Sequence, residues 1–197
     1  MLSVYLLRHG ETSYNADGNR YCGRTDIPLT DKGINQALAV CQRMNGISLD
    51  AVYSSPLIRA LKTAELVSGW DNVQTDPRLI EVDFGSWENK RREEFVAEDP
   101  RSWAEWSNDP EHHRAGNTGE SGGEVIKRLD DFFGEMLTLH AGQTILVAGH
   151  NGTNRLYMAH KLGMPLKHYR RLLQENSAIT LFELDDSGAF ILKKLNA

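Results

Sequence analysis

Two arginines, two histidines and one carboxylate stand at or near the ends of short apolar runs in this sequence. Arg8 and His9 close the first run. Arg59 comes shortly after the second run, His150 closes a later one, and Glu81 lies between those two. If the runs are neighbouring strands of one sheet, their carboxyl ends share an edge, which is where α/β proteins bind ligands. The five side chains would then form an anion-binding site with an acid or base beside it.

Phosphate explains this set better than a carboxylate ligand does. Arginine donates paired, charge-assisted hydrogen bonds to phosphate oxygens. Histidine can be a nucleophile when its ring is neutral, and nearby cations favour the neutral ring. Helices predicted to begin after Ser55 and after His150 would add backbone N–H donors for the phosphate. The sequence has no Walker-type Gly-rich loop, which argues against a nucleotide-dependent phosphoryl transferase.

An alternation of strands and helices is needed to bring these residues together. Short apolar runs at 3–7, 51–53 and 144–148 predict buried strands. Apolar residues at helical spacing follow each strand along the chain, and Ser121 with Glu124 has the spacing of a capping box. Strands that alternate with helices predict a mostly parallel sheet.

The remaining segments predict an edge hairpin and an insertion. Apolar runs at 179–184 and 189–192 flank the turn-forming residues 185–188. Residues 84–118 carry three tryptophans, many charges and no strand pattern, which predicts a helical cap whose tryptophans form its own core. The predicted fold is α/β, a three-layer sandwich with a mostly parallel central sheet, helices on both faces and a small helical cap insertion. We expect one domain over residues 1–197, with the insertion at about 84–118.

Composition excludes several classes of partner. The 197 residues include 22 Lys and Arg against 27 Asp and Glu, a formal net charge of −5, which argues against a nucleic-acid partner. No apolar run approaches the roughly 18 residues of a membrane span, so no membrane partner is expected. The two cysteines, Cys22 and Cys41, match no metal motif and indicate a reducing cytoplasm.

Six ordered motifs resemble one known family. Residues 7–12, Leu-Arg-His-Gly-Glu-Thr, resemble the signature of the histidine phosphatase superfamily, the phosphoglycerate mutase-like proteins. The likeness covers nearly the whole chain, and six motifs in order are far more specific than one triplet. The other motifs, in the family's order, are Asn15 with the loop 21–30, then 54–60, 81–88, 119–121 and 149–150.

The resemblance implies a two-step displacement that needs no metal and no cofactor. His9 would attack phosphorus and become a phosphohistidine, while His150 would hold the phosphoryl oxygens. Glu81 would protonate the leaving alkoxide and then take a proton from water, with Glu11, Asp83 and Glu88 as rival carboxylates. The residues implied to bind the substrate or its phosphate are Arg8, Asn15, Gly23, Arg59 and Asn151.

The substrate is less sharply indicated than the chemistry. The short stretch after Glu88 resembles the phosphatase branch, and residues 21–24, 84–88 and 103–109 resemble the α-ribazole 5′-phosphate phosphatases. Residues 151–155 depart from that pattern. A broad-specificity sugar-phosphate or phosphoglycerate phosphatase, a cofactor-dependent phosphoglycerate mutase and a non-catalytic phospho-ligand module therefore stay open. The expected partner is a small phosphorylated metabolite, and the oligomeric state is left open, a dimer included.

Three further positions border the predicted site. Arg155 lies one turn into the helix after His150, where it could reach an anionic group, and a place on the solvent-facing side of the helix is the favoured interpretation. The basic residues 90–92 are interpreted as a solvated helix face, and a contact with an anionic substrate stays open because they lie in the predicted cap. Cys22 lies inside the loop motif and is a candidate for lining the site.

Overall fold

Six strands form a single sheet in the computed structural model, which describes residues 1–197. Their order across the sheet is β3-β2-β4-β1-β5-β6. The four neighbouring strands β3, β2, β4 and β1 run parallel to one another. β5 pairs antiparallel with β1, and β6 pairs antiparallel with β5. This confirms the mostly parallel sheet with an edge hairpin. The strands are β1 Leu2–Arg8, β2 Ala51–Ser54, β3 Gln74–Thr75, β4 Thr144–Gly149, β5 Ile179–Leu184 and β6 Phe190–Lys194.

Helices cover both faces of the sheet. Side chains alternate along β1, so that Val4 and Leu6 join a cluster of 29 buried residues on one face and Leu7 joins a cluster of 10 on the other. The helices α6 and α7 contribute to the first cluster, and α2 and α3 to the second. The three-layer architecture is thus confirmed. The α-helices are α1 Ser13–Ala16, α2 Asp31–Arg43, α3 Ile58–Ser68, α4 Arg92–Glu98, α5 Pro100–Asn108, α6 Gly122–Leu139 and α7 Asn151–Lys161.

Capping explains most of the helix starts, with one correction. The Ser121–Glu124 capping box forms as predicted at the start of α6. The predicted start of α3 at Ser55 is wrong, because the Ser55 hydroxyl accepts only a turn hydrogen bond from the N–H of Leu57 (3.3 Å). The helix begins at Ile58 instead, where the backbone N–H donates to the carboxylate of Asp26 (2.8 Å).

The segment 84–118 contains a 3-10 helix at Gly85–Trp87, then α4 and α5, and no strand. Trp87, Phe95 and Trp106 are buried, with the rings of Trp87 and Phe95 stacked at 4.8 Å between centroids. These rings belong to the same cluster as Val4 and Leu6 of β1, so they do not form a separate core as expected. The division of the chain into one domain with an insertion stays a prediction. No helix of the structure has the length and apolar content that crossing a bilayer requires.

Candidate active site

The carboxyl ends of β1 and β4 bring the two predicted catalytic histidines together. These strands are parallel neighbours with Arg8 opposite Gly149, so the residues that follow each strand emerge side by side. The ring centroids of His9 and His150 are 5.3 Å apart. A cavity of about 350 Å³ opens at this edge. Of the predicted site residues, the cavity is lined by Arg8, His9, Asn15, Glu81 and Asn151, and not by Gly23, Arg59 and His150.

His9 is held as a neutral imidazole with one nitrogen free. Its Nδ1 lies 2.7 Å from the carbonyl oxygen of Gly10. A carbonyl oxygen can only accept, so Nδ1 carries the proton and the lone pair is on Nε2. Burial, followed by the charges of Arg59 and Arg8, holds the pKa of His9 well below its usual value. The ring is therefore uncharged at neutral pH, as a nucleophile must be.

His150 is fully buried, and neither of its ring nitrogens has a hydrogen-bond partner in the protein. Burial is the main cause that holds its pKa well below the usual value, with Arg59 and His9 contributing. Buried polar groups are nearly always paired, so orphaned nitrogens beside another histidine point to a ligand. A neutral His150 can donate one hydrogen bond to an oxygen of such a ligand.

Arg8 keeps part of its guanidinium available. One terminal nitrogen donates to the backbone carbonyl of Gln174 (2.7 Å), and Nε is buried without a partner. Burial lowers the pKa of Arg8 to about 10. The side chain is consequently still charged at neutral pH, and it lines the cavity beside His9.

Arg59 mainly holds the loop that contains Gly23. Its two terminal nitrogens donate to the carbonyl oxygens of Thr25 (2.8 Å), Cys22 (3.1 Å) and Gly23 (3.0 Å). Only Nε of this fully buried side chain has no partner. The N–H of Gly23 donates to Glu88 at 2.9 and 3.0 Å, so the structure gives Gly23 a role in holding the loop and not in binding phosphate. Glu88, which also accepts from the N–H of Thr25 at 3.0 Å, is thereby engaged away from the acid role.

Glu81 is buried, lines the cavity, and its carboxylate contacts the first turn of α7. Its Oε1 accepts from the N–H of Val82 (2.9 Å) and from the N–H (2.8 Å) and hydroxyl (2.7 Å) of Thr153. Its Oε2 accepts from the N–H of Gly152 at 3.0 Å. The prediction that this helix N-terminus serves the phosphate is wrong for these two N–H groups, because a carboxylate of the protein already accepts from them.

Two asparagines complete the predicted set. The Oδ1 atom of Asn15 accepts from the N–H of Thr12 (3.1 Å) and from the Nδ2 of Asn176 (3.2 Å). These bonds fix the carbonyl side of the amide, which leaves the Nδ2 of Asn15 for a ligand. Asn151 lines the same cavity, and its buried Oδ1 has no partner.

Three arginines of the cavity lining are predicted from the sequence only in part or not at all. Arg155 is half-buried and lines the cavity, so its favoured placement on the solvent-facing side of the helix is wrong. Arg92 is exposed, as predicted for the segment 90–92, and it also lines the cavity, where the contact left open for that segment can form. Arg170, which no motif indicates, comes from the 3-10 helix Leu166–Arg171 that packs on α7 and α5. Only the folding of that late segment onto the site reveals it.

Cys22 lines the cavity as expected, but its surroundings do not favour reactivity. Burial raises the pKa of its thiol to about 11. The thiol is protonated at neutral pH, and its Sγ lies 3.4 Å from the carbonyl oxygen of Thr25. Cys22 is therefore a wall of the cavity and not a second nucleophile.

Known proteins share both the sequence and the fold of this chain. It is 36% identical over 174 residues to the adenosylcobalamin/alpha-ribazole phosphatase of Escherichia coli strain K12, which covers 86% of this chain and 85% of that protein. It is 34% identical over 190 residues to the "Probable phosphoglycerate mutase GpmB" of Cronobacter sakazakii, covering 95% and 87%.

The solved structures include a phosphoserine phosphatase mutant from Entamoeba histolytica in complex with phosphoserine. It superposes with a TM-score of 0.91 at 29% identity, covering 100% of this chain and 98% of that one. The profile of the histidine phosphatase superfamily (branch 1) matches residues 4–197. The chain therefore belongs to branch 1 of the histidine phosphatase superfamily and is a phosphoric monoester hydrolase.

Proposed function

We propose that this protein is a metal-independent phosphomonoesterase that works through a phosphohistidine at His9. The observation that carries the proposal is the hydrogen bond from Nδ1 of His9 to the carbonyl of Gly10, which leaves the Nε2 lone pair free. The same ring lies in a cavity whose lining includes Arg8 and further arginines. A neutral nucleophile beside fixed cations is suited to attack on an anionic phosphoryl group.

In the first step, Nε2 of His9 attacks phosphorus and the ester P–O bond breaks. Arg8 and His150 donate hydrogen bonds to the phosphoryl oxygens, on which negative charge is concentrated in the transition state. The Nδ2 of Asn15 adds a third donor, and the Nε of Arg59 a fourth. The proton on Nδ1 of His9 stays in place, because the carbonyl of Gly10 stabilises the positive charge that the ring gains.

Glu81 supplies the proton that the leaving alkoxide needs. Its Oε1 accepts three hydrogen bonds whereas Oε2 accepts one, so Oε2 has the lone pair on which a proton can reside. The hydroxyl of Thr153 lies 2.7 Å from Oε1 and 3.1 Å from the carbonyl of Ile80. It can donate to Oε1 when Glu81 is ionised, or to Ile80 when Glu81 is protonated. Both protonation states therefore have a satisfied hydrogen-bond arrangement.

In the second step, water attacks the phosphohistidine. Glu81, now ionised, takes a proton from that water, the P–N bond breaks and inorganic phosphate forms. The electron pair of the P–N bond returns to Nε2, and His9 is neutral again. The cycle consumes one water and regenerates both catalytic groups.

Similarity supports small phosphorylated metabolites as the substrate class. The relative at 36% identity, together with motifs 21–24 and 84–88, supports α-ribazole 5′-phosphate. The structural neighbour that holds phosphoserine supports a phosphorylated amino acid. The relative at 34% identity supports a phosphoglycerate.

The test is phosphate release by the EDTA-treated protein from α-ribazole 5′-phosphate, O-phosphoserine and 3-phosphoglycerate, with His9→Ala in parallel. We expect kcat/KM of about 10⁴ M⁻¹s⁻¹ or more for at least one compound. A phosphoenzyme that is stable in alkali should form in the wild type and be absent from His9→Ala. A requirement for added metal, or turnover by His9→Ala at the wild-type rate, would overturn the mechanism. Isomerisation of 3-phosphoglycerate without phosphate release would identify a mutase.

A further inference from the structure

More arginines line the cavity than are needed to bind one phosphate group. Beyond Arg8, four arginines line it. Arg20 is neutralised by ion pairs with Asp17 (2.6 Å) and Glu94 (3.3 Å). The other three, which form no ion pair with a carboxylate of the protein, are Arg92, Arg155 and Arg170.

Arg155 and Arg170 are held in place by aromatic rings and not by anions. The guanidinium carbons lie 5.4 and 4.7 Å from the ring centroid of Tyr169, and that of Arg170 is also 4.4 Å from the Trp103 ring. The Nε of Arg155 donates to the backbone carbonyl of Tyr169 (3.3 Å). Such cation–π contacts restrict the guanidinium groups but use few of their N–H donors. One terminal nitrogen of Arg170 is buried with no partner at all.

The charges of these arginines act on one another. Arg155 contributes to the lowered pKa of Arg8, and Arg170 contributes to the lowered pKa of Arg155, although burial is the main cause in each case. Arg8, Arg155 and Arg170 therefore lie close enough for their charges to interact, and all three line the same cavity as His9.

No carboxylate of the lining forms an ion pair with Arg155 or Arg170, although the charge of Glu81 acts on Arg8 and on Arg155. Glu81 accepts hydrogen bonds from the start of α7. Glu175 is exposed, forms no ion pair, and acts on Arg8. The proposed function assigns Arg8, His150, Asn15 and Arg59 to the phosphate group at His9. Arg155 and Arg170 have no role in that step and are left for a separate group.

We propose that Arg155 and Arg170 form a subsite for a second anionic group of the substrate. The preferred substrates are then small phosphomonoesters that also carry a carboxylate or a second phosphate. This inference rests on the proposed function, because a second-anion subsite requires that the phosphate of the substrate binds at His9. It favours phosphorylated acids over α-ribazole 5′-phosphate, which has no anionic group other than its phosphate.

The test compares substrates that differ only in the second anion. O-Phosphoserine and O-phosphoethanolamine share the phosphate and the ammonium group and differ in the carboxylate. Comparison of fructose 1,6-bisphosphate with fructose 6-phosphate tests a second phosphate in the same way. Charge-assisted hydrogen bonds from two arginines predict a kcat/KM at least about 10-fold higher for the doubly anionic member of one pair.

Variants then assign the preference to the two arginines. Arg155→Gln and Arg170→Gln should each raise KM for the doubly anionic substrate and change the singly anionic one by less than about threefold, which also reports that the variant is folded. Arg171→Gln is the matched control, because Arg171 is the exposed neighbour and does not line the cavity. Arg171→Gln should retain the full preference for the doubly anionic substrate. Arg170→Lys, which keeps the positive charge, should retain part of it.

The outcomes separate this inference from the proposed function. A wild type that forms the phosphoenzyme and hydrolyses both members of both pairs equally would overturn the subsite alone. A preference that survives in both glutamine variants would do the same. Absence of both turnover and phosphoenzyme would overturn the proposed function. Loss of the preference in the two variants, with the control unchanged, would establish the subsite.

Discussion

Replacement of Glu81 by glutamine separates a structural role from a chemical one at the same position. The carboxylate accepts four hydrogen bonds, and Oε2 accepts from the N–H of Gly152. In Glu81→Gln one oxygen becomes an NH₂ group, which cannot accept. If the amide oxygen keeps the three bonds to Val82 and Thr153, the N–H of Gly152 faces a donor and is left unpaired.

The cost in stability follows from that geometry. An unpaired buried donor costs about 1–3 kcal/mol. Loss of a negative charge at a helix N-terminus costs about 0.3–1 kcal/mol more. We therefore expect the free energy of unfolding of Glu81→Gln to fall by about 1–4 kcal/mol, measured by urea denaturation. Thr153→Val is the matched control, because it removes one hydrogen bond to Glu81 but keeps the carboxylate and should cost about 1 kcal/mol.

The loss in rate should depend on the leaving group. A general acid contributes about 10²- to 10⁴-fold to a step that needs a proton. Glu81→Gln should lose about that factor in kcat/KM with an alkyl phosphate such as O-phosphoserine. With p-nitrophenyl phosphate, whose leaving group needs little protonation, formation of the phosphoenzyme should be nearly unchanged. Thr153→Val, which keeps the carboxylate, should show a much smaller dependence on the leaving group.

Single-turnover phosphorylation at a temperature where both variants are folded distinguishes these effects. Equal losses of the phosphorylation rate with the alkyl and the aryl substrate would refute Glu81 as the proton donor, whatever the stability data show. If Glu81→Gln shows the full leaving-group dependence but no loss of stability, the claim that the N–H of Gly152 is left unpaired in this variant is refuted.

Three further predictions follow from the same site. His9→Ala should abolish phosphoenzyme formation while the melting temperature changes by only a few degrees, since the ring makes one hydrogen bond, to the adjacent residue; both can be checked by alkaline trapping and calorimetry. The pKa values of His9 and His150 are lowered in the folded state, so on acidification the unfolded chain binds protons first. The contribution of the two histidines to the free energy of unfolding is therefore fully present above the ordinary histidine pKa of about 6.5 and is lost as the pH falls below it. Urea denaturation should show the free energy of unfolding decrease between about pH 7.5 and about pH 5.5, and a smaller decrease in His150→Gln. Arg59→Met should lower the free energy of unfolding by about 3 kcal/mol or more, because three loop carbonyls lose their donor, and Arg59→Lys should restore less than half of it.

Much of the site can be predicted from strand ends alone. His9 and His150 each follow an apolar run, and parallel neighbours place such residues at one edge of the sheet. The prediction needs only the identity and type of the strands, which a strong apolar pattern supplies. The strand β3 is missed because its two residues, Gln74 and Thr75, are both exposed and have no apolar pattern.

The second end of the cavity could not be predicted in the same way. Arg155 and Arg170 lie 15 residues apart, and their common surroundings depend on how the 3-10 helix Leu166–Arg171 packs on α7. Nothing local requires an arginine on a helix to face a cavity, since its long side chain reaches solvent from most positions. Local patterns therefore identify the residues proposed to perform the chemistry better than those proposed to select the substrate.

The helix N-termini show a related limit, with a consequence for how phosphate is bound. Ile58 at the start of α3 and Gly152 in the first turn of α7 both present N–H groups that a sequence can anticipate. A sequence does not show which anion accepts from them, and here Asp26 and Glu81 do, each from a distant segment. These backbone donors position two carboxylates. Since these N–H groups do not serve the phosphoryl group, we expect its binding to depend on the side chains of Arg8 and neutral His150 more than on helix dipoles.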